Sequence, residues 1–267
     1  MQPTAPGGKG GDNSFLEGCQ ADGLNVVRQM IVRPQALIFS WRSRMHPFSA
    51  TATFKQIREQ PAESWADTLS QATVRQQILG EYYQLLEDDS LVGRITRQSW
   101  GPESSRWGRL YPINEDFDYE PPPEMSVARI CERENVAVLE FVYDHMMTKD
   151  ATGTIWEGGY RDVSRFYNHA HKQLQSDYVI PGISDAGAHL NVFQDGTSPT
   201  TMLSFWTRDR VRGPQLTMEH AVRKQARDTA YMYGMYDRGT LEVGKKADLN
   251  VVNSELLDSA TRRCIQN

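Results

Sequence analysis

The chain has 267 residues, 39% hydrophobic and 24% charged, with a formal net charge of -5. That length accommodates one large domain with a sizeable core, and the composition is that of an ordinary soluble protein. The acidic balance, with no pronounced basic stretch, argues against a nucleic-acid partner. No run of about 18 apolar residues occurs, so neither a membrane span nor a membrane partner is expected. Residues 1–13 are glycine, proline and polar residues without an apolar segment, which excludes a secretory signal and predicts a disordered lead-in, taken to extend over 1–22. The three cysteines, Cys19, Cys131 and Cys264, are scattered and odd in number. They suit neither a disulfide framework nor a zinc knuckle, and they fit a cytoplasmic protein.

Residues 23–40 read as short buried strands: Leu24, Val26, Val27, Met30, Ile31 and Val32 precede Pro34, and Ala36–Phe39 form a second apolar run. Residues 54–88 read as helical, with one helix near 63–71 and another from Thr73, as N-cap, to Leu86. Residues 91–111 are mixed in pattern. Pro121, Pro122 and Pro123 forbid a helix and predict a stiff connector. Ser126 is then placed to cap a helix to about Arg133, and a second helix spans about 137–147 with Leu139, Val142, Tyr143 and Met146 on one face. Residues 178–183 form an apolar strand. Thr217 caps a helix running to Tyr233, with Met218, Ala221, Val222, Gln225 and Thr229 on one side and Gly234 as its stop. Residues 240–252 read as a small β-hairpin.

The chemistry concentrates after the strand at 178–183, in Ser184-Asp185-Ala186-Gly187-Ala188-His189. A carboxylate at the C-terminal end of a buried strand is held rigidly at an open face. There it can ligate a metal through one oxygen and accept a proton from bound water through the other. Gly187 permits a sharp turn or a close approach to substrate, and His189 is a candidate substrate-facing group. The same residues also suit a plain turn in which Asp185 bonds its own backbone, and spacing alone leaves both readings open. His169-Ala170-His171 has chelating spacing only on a strand. The polar residues before it predict helix or loop instead, where the two rings diverge. His46 is a candidate for a pocket mouth, with core or surface placement left open. His145 is expected to be structural and His220 solvated. Trp206, Arg208, Asp209 and Arg210 read as a helix end or loop with surface charge pairs, one arginine being a candidate for a substrate carboxylate.

Ile183–His189 resembles the last barrel strand of the amidohydrolase superfamily. Tyr233–Val252, containing Gly-Thr-Leu-Glu-Val-Gly-Lys-Lys-Ala-Asp-Leu, resembles that superfamily's C-terminal motif. The nearest branch is the D-aminoacylase, or N-acyl-D-amino-acid deacylase, group. The likeness is specific over 178–252 and looser over 23–48 and 126–147. Two motifs in the right order favour the functional reading of Asp185 over the turn.

The resemblance implies an α/β fold: the C-terminal portion of a metal-dependent-hydrolase TIM (β/α)8 barrel over 23–235, with a helical insert at 54–124. Strands of a small β-sandwich would follow at 236–255 and a tail at 256–267. It implies metal-dependent hydrolysis of C–N bonds in a small-molecule amide. Asp185 would be metal ligand and catalytic carboxylate, with Gly187, His189 and His46 toward the substrate. The family's His-x-His on the first strand, and its further His and Cys or carboxylated Lys, have no counterpart here. One carboxylate cannot hold zinc. Zinc or another divalent ion is therefore expected in the complete enzyme rather than in this chain alone. The barrel is expected to be incomplete and the isolated chain inactive. The alternatives are a non-catalytic remnant serving as scaffold or binding surface, or one chain of a split enzyme whose partner supplies the other ligands.

Overall fold

Short apolar runs broken by proline and glycine make short strands, and every strand among the described residues is three residues long. The computed structural model describes residues 13–34, 37–114, 118–158, 163–182 and 197–257. In chain order the elements begin with helix α1 (Ser14–Ala21) and strands β1 (Arg28–Met30) and β2 (Leu37–Phe39). Helices α2 (Ala52–Arg58), α3 (Trp65–Leu69), α4 (Ala72–Glu87) and α5 (Leu91–Trp100) follow, then strand β3 (Leu110–Pro112). Helices α6 (Val127–Glu134) and α7 (Val138–Ala151) lead to strand β4 (Ile155–Glu157), helix α8 (Val163–Leu174) and strand β5 (Val179–Pro181). Helices α9 (Ser198–Leu203), α10 (Met218–Arg223) and α11 (Thr229–Met232) complete the series, with a π-type turn at Lys224–Asp228 joining the last two.

These elements form two compact units. The first contains the described residues of 13–34, 164–182 and 197–257. Its β1 and β5 pair in parallel, with Arg28 opposite Val179, Gln29 opposite Ile180 and Met30 opposite Pro181. Helix α8 buries Phe166, Tyr167, Ala170 and Leu174. The Tyr167 ring lies 4.7 Å from Phe205 and 5.5 Å from Trp206, and Trp206 Nε1 donates to the Val32 carbonyl at 2.7 Å. The β5 entry is anchored by Lys224, which is fully buried. Its Nζ donates to the carbonyls of Ser176 and, at 2.8 Å, Val179, and lies 3.4 Å from the Asp228 carboxylate. Burial pulls this amine below the usual lysine range, against the pull of Asp228.

The second unit contains the described residues of 37–163. Strand β4 pairs antiparallel with both β2 and β3. Its helices enclose an aromatic core around Trp41, whose ring lies 5.4 Å from Phe48, 5.3 Å from Phe54 and 4.8 Å from Tyr143. Each buried aromatic contributes roughly 2–3 kcal/mol. The phenols find backbone partners, Tyr82 Oη donating to Trp100 O at 2.5 Å and Tyr143 Oη to Leu69 O at 2.8 Å. Glu157, at the end of β4, accepts from Arg106 Nε at 2.9 Å and Nη2 at 2.6 Å, and Arg109 lies 3.2 Å away. The Arg106 guanidinium also sits 3.8 Å over the Trp100 ring. Thr51 caps α2 by accepting from Phe54 N, and Glu81 of α4 accepts from Thr53 N at 2.8 Å and Thr53 Oγ1 at 2.6 Å.

Several expectations change. Part of the expected lead-in, Ser14–Ala21, is the helix α1, which buries Leu16. The fold is mixed α/β as expected, but a barrel is not seen: β1–β5 is the one parallel pair among the described residues, and the three-stranded sheet is antiparallel. Residues 240–252 contain no strand, and Leu241, Val243, Leu249 and Val251 are exposed. An alternating pattern yields a stable hairpin only where one face packs on something apolar, and here neither pair does. Helix α4 starts at Ala72, before Thr73, with no side-chain cap at Gln71. Helix α5 occupies the stretch with the mixed pattern. Thr217 does cap α10, accepting from His220 N at 3.2 Å, and Gly234 ends the helical run at φ 73°.

His46 is fully buried, edge-on to Phe54 at 4.5 Å and to Trp41 at 5.3 Å. Neither ring nitrogen has a hydrogen-bond partner. An aromatic face can take one N–H weakly, but a charged imidazolium has nothing to meet it. Burial, helped by the Arg58 charge, lowers its pKa from 6.5 to about 3.

Two predictions follow from these buried groups. Between pH 6.5 and 3 the unfolded chain binds a proton at His46 that the folded chain refuses, so stability falls as pH falls through that window. From pH 7.5 to 5 the loss from this group is about 2 kcal/mol. Urea titrations at the two pH values should show a difference in stability smaller by about that amount in His46→Leu than in wild type; equal differences would remove the assignment. For Lys224→Met, denaturation at neutral pH should register a loss of roughly 3 kcal/mol, the cost of removing the ammonium from the Val179 and Ser176 carbonyls and leaving Asp228 to Arg223 alone. A change within error would mean the ammonium does not hold β5.

Candidate functional site

A parallel pair presents its chemistry at the C-terminal ends of its strands, where the chain leaves the sheet and the backbone is still held. In the first unit that place is the exit of β1 and β5. Gly182 N donates to Met30 O at 2.6 Å, extending the pairing by one bond past Pro181. A Cβ at Gly182 would stand 3.0 Å from Met30 N and 3.1 Å from Gln29 Cβ, so a side chain there would press the two chains apart. The glycine lets β1 and β5 stay close up to the strand end.

The strand ends open on a cleft of about 190 Å³ lined by Val32, Pro181, Gly182, Ser198, Pro199, Met202, Gln225 and Thr229. Gln225 Nε2 donates to Pro199 O at 2.9 Å, tying the turn after α10 to the start of α9. The cleft wall is thus made by an apolar strand exit on one side and by hydroxyl and amide groups on the other. Of these, Gln225 and Thr229 lie on the side of the helix that the sequence pattern groups with Met218, Ala221 and Val222. Ser198 carried no sequence signal, because it is brought to the strand end from a separate helix.

Asp185, Gly187 and His189 lie in 183–196, outside the described residues. The described structure reaches Gly182, three positions before Asp185, at the mouth of this cleft. His46 belongs to the second unit, and its full burial replaces the expected pocket-mouth position with a place in the aromatic core.

The remaining histidines have structural partners or stand apart. His169 and His171 fall on α8, as the polar lead-in predicts. His169 is exposed, whereas His171 is buried, its Nε2 lying 3.2 Å from Gln215 O and its ring 6.2 Å from Trp206. His145 Nε2 lies 2.8 Å from Thr154 O. His220, expected in solvent, instead places Nε2 2.8 Å from Leu174 O and ties α10 to the end of α8. Trp206 and Arg210 are also buried rather than superficial. Arg210 donates to Pro214 O at 2.9 Å and Asn168 Oδ1 at 2.8 Å and lies 5.1 Å over the Trp206 ring. Arg208 and Asp209 do form the expected surface pair.

Among the described residues no group of three or more His, Cys, Asp or Glu side chains is placed to hold a metal. The side chains at the cleft, Ser198, Gln225 and Thr229, are neutral oxygen and amide groups, which do not fit a zinc centre by themselves. No described helix is long and apolar enough to cross a membrane.

No curated protein and no solved structure matches the chain. Residues 151–264 match the sequence model of the amidohydrolase family. The match takes in β4, α8, β5, the lining of the strand-end cleft apart from Val32, and the exposed segment at 240–252. It supports a relation to the amidohydrolase superfamily, and hydrolase activity with it.

Proposed function

We propose that the strand-end cleft belongs to an amidohydrolase-type site that hydrolyses C–N bonds other than peptide bonds, with N-acyl-D-amino acids as the substrate class. The observation that carries this reading is the family match over 151–264, which includes the strand Val179–Pro181 that ends at a cleft four residues before Asp185. In this reading Asp185 takes a proton from the attacking water, and Gly187 and His189 face the substrate. In a complete site a divalent metal would supply Lewis-acid polarisation of the scissile carbonyl and a more acidic water. The described lining supplies no ligand set for it, so the remaining ligands are proposed to come from a second polypeptide bearing His-x-His on a strand. This chain's own contribution is positional. The β1–β5 pair, held at its entry by Lys224, fixes where the segment after Gly182 begins, and Ser198 and the second amide hydrogen of Gln225 offer neutral hydrogen bonds to an acyl or carboxylate oxygen, while the Thr229 hydroxyl is committed to Lys224 O at 2.8 Å.

The test is hydrolysis of a panel of N-acetyl-D- and N-acetyl-L-amino acids with added zinc, together with whatever polypeptide co-purifies with the chain. Turnover selective for the D series, abolished by Asp185→Asn with the fold unchanged by circular dichroism, is the expected result. Wild-type turnover in Asp185→Asn removes that residue from catalysis, and turnover of the L series alone removes the substrate class.

A further inference from the structure

Tyr231 and its neighbours make a polar cluster of a different kind from the strand-end cleft. Tyr231 stands on α11, and Lys245 reaches it from the turn at Gly244. Lys245 Nζ donates to Tyr231 Oη at 3.1 Å and lies 5.5 Å from the ring centroid. The Arg227 guanidinium lies 5.5 Å from the same centroid. Thr240 Oγ1, 2.6 Å from Nζ, and the Glu242 carboxylate, 3.4 Å from it, hold the ammonium in place. The Lys245 side chain is 17% exposed, so the ammonium is constrained rather than free to swing. Tyr236 packs edge-on against Tyr231, ring centroids 5.4 Å apart.

This arrangement has a chemical consequence. An ammonium that donates to a phenol oxygen leaves the phenol's own proton free to depart and stabilises the phenolate left behind. Two cations near one ring act in the same direction, and Glu242 opposes them in part. The hydrogen bond from Lys245 accordingly draws Tyr231 below the usual tyrosine range.

From this geometry we infer that Tyr231 is a nucleophilic phenol, a modification site for activated acyl electrophiles. Attack of Oη on the acyl carbon forms an ester C–O bond. The donor's leaving group departs with its bonding pair, and the phenolic proton passes to water. The lysine is a positioning residue: it orients and stabilises the oxygen and takes no part in the bond change. The inference is independent of the hydrolase reading and uses none of its residues.

Neighbouring tyrosines supply an internal control. Tyr233 and Tyr236 are 60% and 63% exposed and have no ammonium on their oxygens among the described contacts, whereas Tyr231 is only partly exposed. If exposure governs reactivity, Tyr233 and Tyr236 are modified first; if the lysine governs it, Tyr231 is.

The probe is N-acetylimidazole on the full chain, with acetylation sites and rates read by peptide mass spectrometry. Hydroxylamine release distinguishes tyrosine esters from acetyl-lysine. The expected result at neutral pH is that Tyr231 is acetylated at least roughly threefold faster than either neighbour, its rate rising at lower pH than theirs. Lys245→Met should remove that advantage while Tyr236 keeps its rate. Modification in order of exposure overturns the inference, as does a Tyr231 advantage that survives Lys245→Met. Should that variant not fold, the wild-type rate–pH profiles decide: coincident profiles for the three tyrosines also overturn it.

Discussion

The first unit depends on one buried ammonium. Lys224 sits where the chain turns from α8 into β5, and a charge there is tolerated only because two backbone carbonyls and the Asp228 carboxylate surround it. The Ser176 carbonyl also accepts from Val179 N at 3.3 Å, and the ammonium adds a charged donor to it and to the Val179 carbonyl at the strand entry. One side chain therefore ties the strand entry to the helical run at 218–232. Arg223 reinforces the same junction by pairing with both Asp177 and Asp228. With its entry tied down in this way, β5 can keep its register against β1 over three residues and deliver Gly182 to a defined place.

The second unit solves a similar problem with aromatic mass. Its strands are as short as those of the first, so the core is carried by Trp41, Phe48, Phe54, Tyr82, Trp100 and Tyr143, packed by the helices around them. His46 within this cluster is an exception to the rule that buried polar groups are paired. The neutral ring packs edge-on against Trp41 and Phe54, and the unpaired nitrogens are a cost that this packing offsets. Glu157 is the opposite case, a buried carboxylate held by two arginines, one of which also stacks on Trp100. The same unit thus accommodates one ionisable group by keeping it neutral and another by pairing it.

The strand-end cleft of the first unit carries no charged side chain in its lining. It is narrow, its far wall is neutral, and its floor is the rigid exit of a parallel pair.

Local chemistry made much of this legible in the sequence. Helical periodicity marked α4, α7 and the run beginning at Met218, Thr217 announced its cap, Gly234 its end, and a compact apolar run the strand before Asp185. The polar residues before His169 ruled out a chelating strand there. Longer-range features were decided by tertiary structure. The pattern at 240–252 alternates like a hairpin, yet alternation only states which side chains could share a face, and without an apolar layer to receive it the segment forms no strand and its apolar residues stay exposed. Whether His46 faced solvent or core depended on three rings from 41, 48 and 54 converging on it, and whether Arg210 met a substrate or a tryptophan depended on α8 lying beside Trp206. Propensity and capping act over a few residues and are written in the order of the chain. Burial, by contrast, belongs to surfaces that come together from distant parts of it, and those meetings only the folded chain determines.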